Sequence, residues 1–242
     1  MDDIENRYVA HLDVMGMSEI VKKGADEAWG ILSDLVDVRD KMSSIEIEFI
    51  DTKERVKFSE LFKLVTFSDT IVIFSKSDSS KELHCMIILL AEIFHKAICK
   101  CIPVRIGLAR GIFYFNEERS MYAGPALIDA YYTGESTQWL GITLSDTVGE
   151  LAYNMGIKTG LSNIITKWDV PVKDKTIESF VVNWPAIFSH DFNVPLPIVT
   201  EQFYQAFAST FGDFEGLPEK DRKKYINTVD FINEKIKCHQ QA

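Results

Sequence analysis

The clearest periodic signal comes early in the chain. From Tyr8 to Val14 the side chains alternate, with Tyr8, Ala10, Leu12 and Val14 on one face of a strand and Val9, His11 and Asp13 on the other. Gly16 ends this strand, and Ser18 stands where it can cap a long helix beginning near Glu19. A hairpin follows, Val56–Val65 running into Phe67–Phe74. Leu83, Ile87, Leu90, Ile93, Phe94 and Ala97 recur at helical spacing and predict a helix over Ser80–Lys100, stopped by Pro103. Alternation returns over Val104–Phe113, where Val104, Ile106 and Leu108 oppose Arg105, Gly107 and Ala109. A short hairpin to Met121, a helix from Pro125 to Glu135 and a strand Gly141–Ser145 complete this region.

Strand, helix, two strands, helix, strand is the order of a ferredoxin-like α+β domain, an antiparallel-rich sheet with helices on one face. Asp13 and Arg105 both fall on the face away from those helices. That face is left open and polar, which predicts a homodimer. After Lys167 the pattern weakens: Phe180–Trp184 reads as a strand, Ile198–Phe211 and Lys220–Lys237 as helices, with Pro185, Pro195 and Pro197 marking loops. Residues 1–169 therefore read as the main domain and 170–242 as a helical C-terminal extension packed on it. Tyr204, Phe207 and Phe211 sit at helical spacing and read as a core stripe.

Composition narrows the function classes. The chain has 242 residues, 46% of them apolar, and a formal net charge of −10. Such an acidic chain is not expected to bind nucleic acid, which calls for a basic stripe. It remains suited to a nucleotide, because acids bring divalent metals and metals bring phosphates. The longest greasy stretch, Met86–Phe94, is interrupted by Glu92 and is too short to span a bilayer. The polar start, MDDIENRYVA, is not a secretory signal. Cys85, Cys99, Cys101 and Cys238 form no C-x-x-C pair. Reduced thiols in a cytoplasmic protein, with no membrane partner, are the expectation.

Two segments carry candidate chemistry. In His11-Leu12-Asp13-Val14-Met15-Gly16-Met17-Ser18 an acid ends a buried strand, and a glycine turn then opens a helix whose backbone N–H groups can hold phosphate oxygens. In Thr66-Phe67-Ser68-Asp69-Thr70 a second acid stands at a hairpin tip between apolar strands. Each alone reads as a strand end or a turn residue. Together, in this element order, they point to a shared hard cation, Mg²⁺ or Mn²⁺.

The same residues resemble class III nucleotidyl cyclases. Asp13-Val14-Met15-Gly16-Met17 is similar to the first metal motif of that family, and Thr66-Phe67-Ser68-Asp69 to the second, with Ser68 where glycine is usual. Val104–Gly111 resembles the strand that follows, Gly124–Tyr131 the start of the catalytic-domain helix, and Ile142–Ser145 the strand after it. The resemblance covers residues 7–150. It implies that Asp13 and Asp69 bind two metal ions, assisted by the Val14 carbonyl. It also implies that Met15, Gly16 and Met17 meet the triphosphate of a nucleoside triphosphate.

Departures from the family pattern are as informative. The two positions that read a purine in the family fall at Val65 and Met121, which offer no pairing to a purine edge. The family's catalytic asparagine and arginine fall at Ile128 and Tyr132, of which only Tyr132 can donate a hydrogen bond. Those departures, the chain's size and Asn183-Trp184-Pro185 resemble the uridylate and cytidylate cyclases of bacterial Pycsar anti-phage systems, whose cyclic pyrimidine product activates a separate effector. The resemblance implies UTP as substrate and cyclic UMP as product, with cyclic CMP or a non-catalytic cyclase-like module as alternatives. Arg105 reads either as a base or phosphate contact across the dimer or as a structural arginine paired with an acid. His11 reads as a packing or interface residue. The G-G-D-E-F signature of diguanylate cyclases is absent.

Overall fold

The computed structural model describes residues 3–48, 53–159, 162–188 and 197–240. The first strand, β1 (Asp3–Val14), is longer than the alternation suggests because its polar start is still paired. It lies between β6 (Val104–Asn116), which it meets from Asp3↔Phe115 to Val14↔Val104, and β5 (Thr70–Ser75), which it meets from Val9↔Phe74 to Asp13↔Thr70. After β1 come α1 (Met17–Lys23) and α2 (Ala25–Ser43), where one long helix was expected. Gly16 caps α1 in a left-handed conformation (φ 78°) with no side-chain cap, so Ser18 lies inside the helix and the turn comes two residues earlier. Extended backbone at Gly24 divides the two helices.

The expected first hairpin strand is divided as well. Short strands β2 (Glu46–Glu48) and β3 (Arg55–Lys57) pair with each other, a turn of helix α3 (Phe58–Leu61) follows, and β4 (Phe62–Phe67) then turns into β5. Helix α4 (Ser80–Cys99) is capped by Ser79, whose hydroxyl accepts from the Glu82 N–H, and buries almost its whole length. Beyond β6 lie β7 (Met121–Ala123), α5 (Pro125–Glu135), β8 (Ile142–Leu144) and α6 (Asp146–Asn154). The pair β9 (Lys158–Thr159) and β10 (Ser162–Asn163) precedes β11 (Ile165–Pro171), β12 (Thr176–Val182) and the short helix α7 (Trp184–Ile187). The chain ends with α8 (Thr200–Gln205), α9 (Ala208–Phe211), a 3₁₀ turn at Phe214–Gly216 and α10 (Glu219–Gln240).

The main sheet runs β11-β12-β8-β6-β1-β5-β4, with β7 added on β6. Only the β6–β8 pair is parallel among these ladders. Leu12, Val14, Ile71, Ile73, Ile106 and Leu108 face the helix layer and share one core with Leu83, Ile87, Leu90, Ile93 and Phe94 of α4. Each such fully buried aliphatic or aromatic side chain is worth about 1.5–3 kcal/mol.

The opposite face is not wholly open, as had been expected. Helix α5 lies on it and closes a second, smaller core of Val9, Phe74, Ala109, Phe113, Ala126 and Ala130. Gly107 makes this possible, since a Cβ there would stand 2.1 Å from the Ala130 carbonyl oxygen and 2.4 Å from the Gly134 nitrogen. What stays open is the surface of β4, β5 and the end of β1.

The C-terminal region extends the same sheet. Strand β11 spans residue 170, and β12 joins β8 through Val181↔Thr143. The expected strand Phe180–Trp184 ends at Val182, and Trp184 and Pro185 open α7 instead of a loop. Proline is compatible with a first helical turn because its missing N–H would have no partner there. The expected helix Ile198–Phe211 is two short ones. Pro195 lies outside the described residues. Tyr204 and Phe207 are buried and Phe211 packs beside them, as the helical spacing implied. Phe211 also packs against the turn between β1 and α1, its ring 3.2 Å from where a Gly16 Cβ would be. Among the described residues no helix is long and apolar enough to cross a membrane.

Candidate active site

The two sequence-predicted acids end at one corner of the sheet. Asp13 stands opposite Thr70 of β5 on one side and Arg105 of β6 on the other. Asp69 sits in the two-residue turn between β4 and β5, and its carbonyl accepts the Val14 N–H at 3.1 Å. That bond pins the hairpin tip to the end of β1. Ser68 takes the left-handed conformation of this turn at φ 53°, where a glycine would be unstrained.

Arg105 has the structural role that the sequence left open. Its buried guanidinium donates from Nε and Nη2 to Asp13 Oδ2 at 3.1 and 3.0 Å. It also donates to the Glu135 carbonyl at 3.1 Å and forms an ion pair with the Glu135 carboxylate. Burial of such a charge is tolerable only because two carboxylates and a carbonyl share it. Glu135, at the end of α5, is a site residue that sequence reasoning missed. Nothing in its local pattern marks it, and the packing of α5 on β6 brings it there.

His11 was set aside as a packing residue, and the structure places it beside the acids. Burial holds its pKa below the usual histidine value, with Asp13 pulling it up, Arg105 pushing it down and Asp69 pulling it up. One imidazole thus senses both carboxylates and the arginine. Its ring meets Tyr131 edge to face at 5.2 Å, and Tyr131 meets Tyr132 at 5.3 Å.

A groove of about 590 Å³ opens next to this corner, between α5 and strands β4 and β5. Val65, Val72, Leu127 and Ile128 make it apolar, Tyr122, Tyr131 and Tyr132 give it aromatic walls, and His11 and Thr70 supply polar groups. Two of the residues expected to meet substrate, Val65 and Tyr132, are therefore brought together. Met121 is not among them: it lies on β7, is 58% exposed and does not line the groove. Its backbone pairs with Asn116, which turns the side chain outward, and the tyrosines of α5 supply the bulk that had been assigned to it. Met15 and Met17 have buried side chains, so only their main chain can face a phosphate. The Met15 N–H is already committed to the Pro103 carbonyl at 2.8 Å.

The donor set can be weighed for a divalent cation. Among the described residues no cluster of three or more histidine, cysteine or carboxylate side chains is present. Two carboxylates and the Val14 carbonyl suffice for Mg²⁺, which keeps several waters and takes further oxygens from substrate phosphates. Arg105 engages one oxygen of Asp13 and leaves the other available. The residues fit a hard cation that arrives with its nucleotide better than a preformed protein cage.

Known structures share the fold that carries this corner. The catalytic core of a rhodopsin-guanylyl cyclase with converted specificity, in complex with ATPαS, is 12% identical and superposes with a TM-score of 0.52 over 75% of this chain and 97% of that one. A bacterial light-regulated adenylyl cyclase gives 0.55 at 10% identity, covering 87% of this chain and 58% of that one. A further structure of a bacterial light-regulated adenylyl cyclase gives 0.51 at 11% identity over 86% and 99%. The fold is that of a class III nucleotidyl cyclase domain. No protein-family model and no curated protein sequence matches the chain. Within the cyclase fold, the corner of Asp13 and Asp69 is the feature that carries candidate chemistry.

Proposed function

We propose that the protein is a nucleotidyl cyclase that works as a homodimer on a pyrimidine nucleoside triphosphate, UTP first and CTP next, and releases a 3′,5′-cyclic monophosphate. The observation that carries this reading is the meeting of Asp13 and Asp69 at one corner of a cyclase fold, tied by the Val14–Asp69 bond. In the reaction the ribose 3′-oxygen bonds to the α-phosphorus as the bond to the bridging oxygen breaks. The 3′-hydroxyl loses its proton and pyrophosphate leaves. Asp13, Asp69 and the Val14 carbonyl would hold two Mg²⁺ or Mn²⁺ ions, which when bound supply the positive charge that an in-line displacement at phosphorus needs. The main-chain N–H groups of Gly16 and Met17 position the triphosphate, the Met15 N–H being spent on Pro103, and Arg105 adds a fixed positive charge beside Asp13.

The choice of base rests on the groove. Val65, Val72, Leu127 and Ile128 cannot pair with a purine edge, and Val65 stands where the family reads a purine, which supports a pyrimidine; the tyrosines of α5 offer rings for a base to stack on. Exposed Phe67, Ile128 and Tyr132 around it form an apolar surface of the kind a second subunit covers. By its resemblance to Pycsar cyclases, the protein would supply a cyclic pyrimidine messenger to a separate effector in anti-phage defence.

A second reading has its own support. The Arg105–Asp13 pair occupies part of a metal ligand, and Ile128 and Tyr132 stand where the family has its asparagine and arginine. Those features favour a cyclase-like module that binds nucleotide without turning it over. A competition assay separates the readings: all four ribonucleoside triphosphates at equal concentration with Mn²⁺, products identified by mass. Cyclic UMP in excess supports the proposal. Dominant cyclic AMP or cyclic GMP overturns the base assignment, and no cyclic product in any mixture favours the binding module.

A further inference from the structure

We infer that His11 is the polar group that reads the nucleobase from the floor of the groove, and so sets base specificity. This rests on the cyclase reading above and extends it to a residue that neither metal motif contains.

The walls of the groove offer a base shape and stacking but little direction. Val65, Val72, Leu127 and Ile128 have no polar side-chain atoms, and the tyrosine rings of α5 present faces and edges. A pocket of this type gains specificity from a few placed polar groups. His11 is one of two non-tyrosine polar side chains lining it, with Thr70 on the neighbouring strand. Strand parity puts His11 on the same face as Asp13, one pleat along β1, so a base that touches it lies next to the corner where the phosphates must react.

The ring is both held and available. Tyr131 packs against it edge to face at 5.2 Å with an interplanar angle of 85°, which fixes its plane. Among the described residues no hydrogen bond engages either ring nitrogen, whereas the neighbouring Arg105 is fully engaged by Asp13 and Glu135. An imidazole offers at least one N–H donor in either protonation state. Uracil presents a carbonyl at its 4-position that accepts such a bond, where cytosine presents an amino group that cannot. A buried donor left unpaired by the wrong base is penalised, which is how one hydrogen bond becomes discrimination.

The test removes the nitrogens and keeps the ring. His11→Phe preserves the packing against Tyr131, and His11→Asn restores a donor of smaller size. Two readouts are taken for wild type and both variants: kcat/KM for each of the four triphosphates with Mn²⁺, and the thermal shift each triphosphate gives with Mn²⁺. For His11→Phe the preference for the favoured base over the next should fall by about tenfold or more, carried by KM, with kcat changed less and the metal-only melting curve intact. His11→Asn should recover part of the preference. A folded His11→Phe protein with wild-type base preference overturns the inference while leaving the cyclase reading in place. An inert wild type whose base-selective thermal shift disappears in His11→Phe overturns the cyclase reading and supports the role of His11. No base selectivity in wild type by either readout overturns the inference.

Discussion

Two glycines on one strand predict opposite outcomes for the same substitution. Gly107 and Gly111 both lie on β6, on the face covered by α5. A Cβ at Gly107 would stand 2.1 Å from the Ala130 carbonyl oxygen and 2.4 Å from the Gly134 nitrogen, both backbone atoms. Contact between non-bonded heavy atoms is comfortable near about 3.5 Å, so α5 would have to retreat by about 1.4 Å. Overpacking typically costs about 1–3 kcal/mol, and since no side chain can rotate away here, at least about 3 kcal/mol is expected for Gly107→Ala. For a domain of this size that corresponds to a fall in Tm of about 6–12 °C. A Cβ at Gly111 would sit 3.6 Å from the Ala126 Cβ, an ordinary contact. Gly111→Ala should therefore be neutral, or stabilising by about 0.5 kcal/mol through the lost freedom of the unfolded chain. Thermal and urea unfolding of both variants measure this. Because α5 carries Tyr131 and Tyr132, Gly107→Ala should also weaken nucleotide binding. Equal stability of the two variants would refute the close seating of α5 on β6.

Other expectations follow from burial and charge. Arg105→Leu leaves Asp13 and Glu135 facing each other unpaired and should cost about 3 kcal/mol, read by urea unfolding, whereas a stable variant would mean that the ion pair is not maintained. Burial pushes the hydroxyl pKa of Tyr225 and of Tyr204 above that of a free tyrosine. The folded protein therefore keeps protons that the unfolded chain gives up above about pH 10, so these groups contribute fully below that pH and their contribution is lost as pH rises, by about 1.4 kcal/mol per pH unit for Tyr225, whose hydroxyl is the more deeply buried of the two. Tyr225→Phe should flatten the alkaline limb of a stability–pH curve, and an unchanged limb would contradict the assignment. Burial raises the Cys85 thiol to about 12, while Cys99 is exposed. In a Cys238→Ser background a thiol reagent at pH 8 should label Cys99 at once and Cys85 only on unfolding.

How much of this was legible depends on whether a signal is local. The alternation of Tyr8–Val14 and Val104–Phe113 placed Asp13 and Arg105 on one face, and register then joined them directly. The helical stripe of α4 and the bounds of α5 could be read because each is long or framed by Gly124-Pro125 and a clean apolar pattern. The face that α5 covers could not be read, because Ala126 and Ala130 look the same whichever side they pack on. Only Gly107, small enough to admit a backbone, hinted at it. The break at Gly24 was missed because the apolar periodicity continues across it from Ile20 to Ala28. Glu135 and the groove side of His11 are long-range facts, set by β1, β6 and α5 meeting, and no window of the sequence contains them.

The corner of Asp13 and Asp69 bears the functional claim, and Asp69 tests it more cleanly. Asp13→Ala would strip a partner from the buried Arg105, mixing stability with chemistry, whereas the Asp69 side chain engages no ion pair among the described residues and its tie to β1 is made by its backbone. The measurement is the mass of the product formed from UTP with Mn²⁺ by wild type and by Asp69→Ala, each with its unfolding curve. The account predicts cyclic UMP and pyrophosphate from wild type and neither above background from an equally folded Asp69→Ala. Full cyclic nucleotide formation by a folded Asp69→Ala protein would contradict it.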